Sequence, residues 1–411
     1  MFALAFLPVF SRTLKPVGSG LLPPASPFGN DFLRREWPLL LQSCSFPHDR
    51  AKISALVDVV GDADSFICLA EAHGVLGHFT AVLAGLSGFQ IPSSFLDSLR
   101  VHQRAHLLSN LSMTAELFRI LELLRQSQIE CVVVKGPVLS LRAYGEPAVR
   151  QYADLDLLLR QRDIPRAAEI LVATGYDSRI STAAIRSGKI PGEYRFRGQG
   201  TKIILEVHTE RTLRYFPSPL PIEKYFHSKA SMSLDGRPVP ALSAEHEFIL
   251  ISVHGATHFW ERLMWICDVA AMVHNHPELD WNLIRQSAAE VGAERMVRVA
   301  LRLSERLLGV PVPADLKNDV ARDPECLQLV DKIEKWLPYA GNAAPSIAQR
   351  AWFRFRMPGR ILSGATYLTR LSFSTTEDDW DASAETSTSC LVGMLRRPFR
   401  LAQKYRRNPD S

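Results

Sequence analysis

From Tyr152 to Leu159 the chain alternates acid and leucine: Asp154 and Asp156 are interleaved with Leu155, Leu157 and Leu159. On a β-strand, successive side chains point to opposite faces. The three leucines then share one face, which belongs in a core, and the two aspartates share the other. Aspartate is disfavoured in strands. Two carboxylates side by side repel, and at least one is pushed up in pKa unless a cation lies between them. A divalent ion relieves that cost. Mg2+ is the natural candidate, because it takes carboxylate oxygens and keeps positions open for phosphates. A half-exposed strand with both acids in water fits the tripeptide equally well, so the neighbouring residues have to decide.

Upstream, Ile129–Val134 is a β-branched run too short for a helix, and it predicts a buried strand. Lys135-Gly136-Pro137 follows, and then a short helix through Tyr144. A strand, a glycine turn and a helix N-terminus offer backbone N–H groups to an anion. Lys135 and Arg150 add positive charge for phosphates. Proline at 137 removes one N–H donor from that turn. Downstream, Lys202–His208 predicts a strand with Ile203, Leu205 and Val207 on one face and Ile204, Glu206 and His208 on the other. Glu206 is then a third carboxylate beside the aspartates. Such a set suits two Mg2+ ions in in-line nucleotidyl transfer.

The rest of the chain frames this unit. Residues 1–48 read as an irregular leader with Pro23, Pro24 and Pro27, and residues 49–128 as about four helices, the last one long. Residues 129–240 form the α/β core. There, Asp163 is the expected N-cap of a helix ended by Gly175, and Leu234-Asp235-Gly236-Arg237 signals a hairpin. Residues 241–340 return to helix from a start at Ser243, and 341–411 form a helical, basic tail. The fold class expected is α+β: a small mixed sheet flanked by N-terminal and C-terminal helical regions.

Apolar residues make up 46% of the 411 and the formal charge is +5, which suits a globular protein with a mild bias toward polyanions. The six cysteines form no CxxC pair, which argues for a reduced cytoplasmic protein without a zinc site. No apolar run is long enough for stable membrane insertion. His254 and His258 lie four apart on one helix face without a metalloprotease glutamate, and read as cleft-lining histidines.

Lys135-Gly136, Tyr144-Gly145, Arg150-x-x-x-Asp154-Leu155-Asp156-Leu157-Leu158 and the later Glu206-Val207-His208 together resemble the polymerase-β-type nucleotidyltransferase superfamily. They are more closely similar to an uncharacterised bacterial nucleotidyltransferase family, over roughly residues 50–310. The resemblance implies transfer of a nucleoside monophosphate from a nucleoside triphosphate to an acceptor hydroxyl on a small molecule, RNA or protein. It implies Asp154, Asp156 and Glu206 as catalytic and Mg2+-binding residues, and Lys135, Gly136, Arg150 and His208 at the nucleotide. The superfamily's usual turn is Gly-Gly or Gly-Ser, where this chain has Gly136-Pro137. Two alternatives stay open: a non-catalytic nucleotide-binding accessory protein, and a toxin-type transferase acting on tRNA.

Overall fold

The computed structural model describes residues 30–57, 63–84, 93–187, 192–210, 218, 220–339, 347–359 and 364–369. Five helices come first: α1 (Asn30–Cys44), α2 (Arg50–Val57), α3 (Ala63–Ala72), α4 (Leu76–Ala84) and the 34-residue α5 (Ser93–Gln126). The mixed unit follows as β1 (Cys131–Val134), α6 (Gly136–Tyr144), β2 (Asp154–Leu159), α7 (Ile164–Ala173), β3 (Tyr176–Ser178), α8 (Thr182–Arg186), β4 (Glu193–Gly198), β5 (Ile204–His208), α9 (Ile222–His227), β6 (Ala230–Leu234) and β7 (Arg237–Ala241). Helices then resume with α10 (Ala244–Thr257), α11 (Leu263–Asn275), α12 (Trp281–Val291), α13 (Glu294–Leu308), α14 (Ala314–Ala321), α15 (Pro324–Trp336) and α16 (Ile347–Arg356). This is the α+β layout read from the sequence. The polar stretch Ser374–Ser389 and the basic segment beyond it lie outside the described residues.

The seven strands form one sheet in the order β3-β4-β5-β2-β1-β7-β6. β2 runs antiparallel to β1 and parallel to β5, so the two acid-bearing strands are neighbours. The hairpin β6–β7 turns through Asp235 and Gly236, both at positive φ (48° and 75°), as a tight two-residue turn requires.

Each face of the sheet feeds a different core. Leu155, Leu157 and Leu159 pack with Leu205 and Val207, with Met113, Leu117, Ile120 and Leu124 of α5, and with Ala167, Ala168 and Leu171 of α7. Val132, Val134 and Leu158 belong to the other core, which is built mainly from the N-terminal helices and α10–α15. The acid-bearing face therefore looks into the helical region and not into open solvent. Leu157 is fully buried at the centre of the first core. Leu157→Ala should cost about 2–5 kcal/mol of unfolding free energy by denaturant titration, and a loss below about 1 kcal/mol would mean the core repacks around it.

Three local expectations are adjusted. Helix α1 starts at Asn30, inside the stretch read as irregular leader, because Leu39 and Leu40 are buried in the helical core despite Pro38 within the helix. Asp163 stands at the N-cap of α7 as expected, but it also ends a short 3-10 turn, Gln161–Asp163, and its side chain makes no capping bond. Leu107, Leu108 and Leu111 continue the apolar pattern of α5 yet are exposed: they lie between Phe95 and Leu99, buried in the helical core, and the stripe from Met113 that feeds the first core.

Candidate active site

The register of β2 against β5 builds the site. Asp156 pairs directly with Glu206 and Leu158 with His208, while Asp154 lies two residues earlier on the same face. Asp156 and Glu206 are buried, and Asp154 is half-buried. One ligand atom each from Asp156, Glu206 and His208 lie within 4.8 Å of one another. His208 Nε2 is 2.6 Å from Asp156 Oδ1, and its Nδ1 is buried with no hydrogen-bond partner among the described residues.

Lys135 closes the cluster from β1, with its Nζ 2.8 Å from Asp156 Oδ2. Its backbone sits at φ 58° and ψ −142°, a region nearly reserved for glycine. Residues stay there only where surrounding contacts hold them, and such strain concentrates at functional sites. Gly136 follows at φ 51° and opens α6, whose first turn takes Pro137 without loss because that N–H has no helical partner. A Cβ at Gly136 would meet no atom within 4 Å, so the space before the α6 N-terminus is open.

Charge is distributed unevenly over the acids. Burial disfavours the Asp156 carboxylate, but Lys135 and His208 outweigh it and hold the group below the ordinary carboxylate range. Burial also opposes the Lys135 ammonium, and Asp156, Asp154 and Glu206 reverse that effect and raise it. Asp154 is pushed up, first by burial and then by the charge of Asp156. Asp154 makes no hydrogen bond or close ion pair among the described residues. Glu206 is held by Arg195 of β4, whose Nε donates to Oε1 at 2.9 Å across a paired register position.

Arg150, expected near the phosphates or the paired aspartates, is committed elsewhere. Its guanidinium is buried against Asp268 of α11, with Nε 2.9 Å from Oδ2. Asp268 also accepts from the Tyr144 hydroxyl at 2.9 Å. The Arg150 backbone N–H donates to Ser140, and its carbonyl accepts from Asn110. Arg150 thus ties α5, α6 and α11 together behind the site. The His254 and His258 rings lie 4.7 Å apart, tilted to each other, and both pack against Trp265, His254 edge-on. Burial, with Lys135 adding, keeps His254 well below its ordinary value and pushes His258 down to about 3, so both are neutral.

A cavity of about 50 Å3 lies beside the carboxylates. Val134, Leu158, Leu250 and Val253 give it apolar walls, and Lys135, His208, His254 and Tyr225 add polar groups. The Tyr225 hydroxyl is buried without a partner among the described residues. The roles of Arg195, Asp268 and Tyr225 escaped the sequence reading. Arg195 left a local signal in the alternation Tyr194-Arg195-Phe196-Arg197, which sets it on the polar face of β4, directly across from Glu206.

Acids gathered on adjacent strands beside a glycine-opened helix N-terminus have the makings of a metal-assisted nucleotidyl or phosphoryl transfer centre. The chain belongs to the family described as uncharacterised nucleotidyltransferase, whose model matches residues 60–309. No curated protein matches it. Among solved structures it is similar to an antigenic nucleotidyltransferase-like protein from Paracoccidioides brasiliensis, at 15% identity and a TM-score of 0.28. That likeness covers 51% of this chain and 94% of the other. Family membership supports a general nucleotidyl-transfer role. No helix among the described residues is long and apolar enough to cross a membrane.

Proposed function

We propose that this protein moves a nucleoside monophosphate from a nucleoside triphosphate to an acceptor hydroxyl, with Mg2+ held by Asp154, Asp156 and Glu206. The observation that carries this is the pairing of Asp156 with Glu206 across parallel strands, with Asp154 on the same face. The donor set fits a hard divalent ion: oxygens of Asp156 and Glu206 are clustered with His208, and Asp154 on the same face makes no close ion pair among the described residues. Bound there, Mg2+ would supply charge balance for the leaving pyrophosphate and lower the pKa of the acceptor hydroxyl.

The protein's own groups do the rest. The acceptor oxygen bonds to the α-phosphorus, the bond from that phosphorus to the β-bridging oxygen breaks, and pyrophosphate leaves. Glu206 takes the acceptor proton or serves as third ligand, and Arg195 holds it in place. The α6 N-terminus offers amides to the phosphates through the opening at Gly136. Lys135 is the counter-ion of Asp156 and holds that carboxylate in place. His208, with its free Nδ1, contacts the nucleotide from the cavity side.

The test is label transfer from each α-32P nucleoside triphosphate with Mg2+ and a cell extract as acceptor source. Incorporation by the unmutated protein, absent from Asp154→Asn/Asp156→Asn, supports the reading. Equal incorporation by both would sink it, and tight nucleotide binding without any incorporation would favour a non-catalytic role. Gly136→Ala gives a narrower check. The added methyl meets open space, so the fold loses only about 1 kcal/mol, the cost of a positive φ. Nucleotide affinity should fall at least tenfold by calorimetric titration, because the methyl fills the approach to the helix amides. Unchanged affinity would place the phosphates elsewhere.

A further inference from the structure

The two cations that the sequence assigns to phosphate are already engaged, Lys135 with Asp156 and Arg150 with Asp268. A bound triphosphate needs positive charge from somewhere else. A second group of cations stands where α10 turns into α11. The turn passes through Phe259 and Trp260, both in the left-handed region at φ 56° and 53°. Trp260 is held there by burial against Gly255, where no Cβ would fit. The next residues are Glu261 and Arg262, and Arg262 lies close enough to Asp154 for the two charges to interact.

Helix α16 supplies two more cations. Arg350 and Arg354 are four apart and so share a helix face. Their guanidinium carbons lie 4.8 and 4.9 Å from the centre of the Phe259 ring. Glu261 is the acid among them, 3.6 Å from Arg350 and in the field of all three arginines. The three guanidinium groups thus gather around one ring and one carboxylate. Arg354 Nε is buried without a hydrogen-bond partner, and Arg262 makes no hydrogen bond among the described residues. His258, next to Phe259, lies within charge range of Lys135 as well as of the three arginines, so the cluster stands near the acid-bearing site.

We propose that Arg262, Arg350 and Arg354 form a phosphate-binding wall beside the acid-bearing site and take the polyphosphate tail of the donor nucleotide. The inference rests on the nucleotidyl-transfer reading. It places part of the donor site on α16, beyond the family-matched residues 60–309. Guanidinium groups suit the task because their fork of donors meets phosphate oxygens bidentately and stays charged at any working pH.

The experiment is calorimetric titration of the full chain with two probes: inorganic tripolyphosphate, and the α,β-methylene analogues of the four nucleoside triphosphates with Mg2+. The variants are Arg262→Gln and Arg350→Gln/Arg354→Gln, each checked for its thermal midpoint. The expected result is at least a tenfold loss of affinity for both probes in each folded variant. If the double variant does not fold, Arg262→Gln decides alone, since Arg262 makes no side-chain hydrogen bond among the described residues. Unchanged affinity for both probes overturns the proposal. Unchanged nucleotide affinity with lost label transfer also overturns it, and gives the arginines to a phosphate on the acceptor. Wild-type protein that binds tripolyphosphate but no nucleotide, with the variants losing that binding, keeps the phosphate wall and sinks the nucleotidyl-transfer reading instead.

Discussion

Asp154→Asn and Asp156→Asn should each reduce nucleotidyl transfer by about 10^3-fold or more, as loss of a metal-binding charge does, while moving the stability of the metal-free protein in opposite directions. Asp156 is the counter-ion of buried Lys135 and accepts from His208. Removing its charge leaves the Lys135 ammonium buried and unpaired, and breaking a buried pair from one side costs about 3–5 kcal/mol. Asp154 is disfavoured by burial and by the charge of Asp156, with no close cation of its own. Neutralising it removes a repulsion, so Asp154→Asn should gain about 1 kcal/mol in chelator, the order of a carboxylate's unfavourable environment. Mg2+ should reverse the ranking. The unmutated protein gains about 2.7 kcal/mol at a hundredfold excess over its dissociation constant, and both variants gain far less. Denaturant unfolding with chelator and with Mg2+ reads all of this. An Asp154→Asn protein that is less stable than wild type in chelator would falsify the assignment of Asp154 as the acid that lacks a cation.

The contrast explains what the sequence could and could not convey. Strand alternation alone put Asp154 with Asp156, and Glu206 with His208, because side-chain direction on a strand has a period of two and the leucines and valines mark the buried side. The structure pairs those strands side by side. The same periodicity says nothing about what covers the acid face, and α10 and α11 cover it from about a hundred residues further along. The partner of a lone charge is equally invisible. Arg150 sits four residues before Asp154 and was drawn to it by proximity in the chain, yet its partner is Asp268, 118 residues away. Lys135 was read as a phosphate ligand and is the counter-ion of Asp156. In both cases the residue was found from sequence, and its partner was set by tertiary packing. The missed start of α1 is a local signal overridden by burial of its apolar residues Leu39 and Leu40.

Arg150→Ala should be among the most damaging single changes to the fold, at about 3–5 kcal/mol, because it strands the Asp268 carboxylate in the interior. Burial already raises Asp268, and Arg150 and the Tyr144 hydroxyl are what favour its charged form. The variant should therefore unfold at much lower denaturant than wild type. Replacing the whole buried set, as Arg150→Met/Asp268→Leu/Tyr144→Phe, should recover most of that loss, since apolar groups of similar volume carry no desolvation penalty. The triple variant then separates structure from chemistry. If Arg150 only ties α6 to α11, nucleotide affinity in the refolded triple variant stays within about twofold of wild type, well under 1.4 kcal/mol. If affinity falls tenfold or more while stability is restored, Arg150 reaches the phosphates when nucleotide is bound. The salt bridge to Asp268 would then be the resting partner of a residue that switches between two anions.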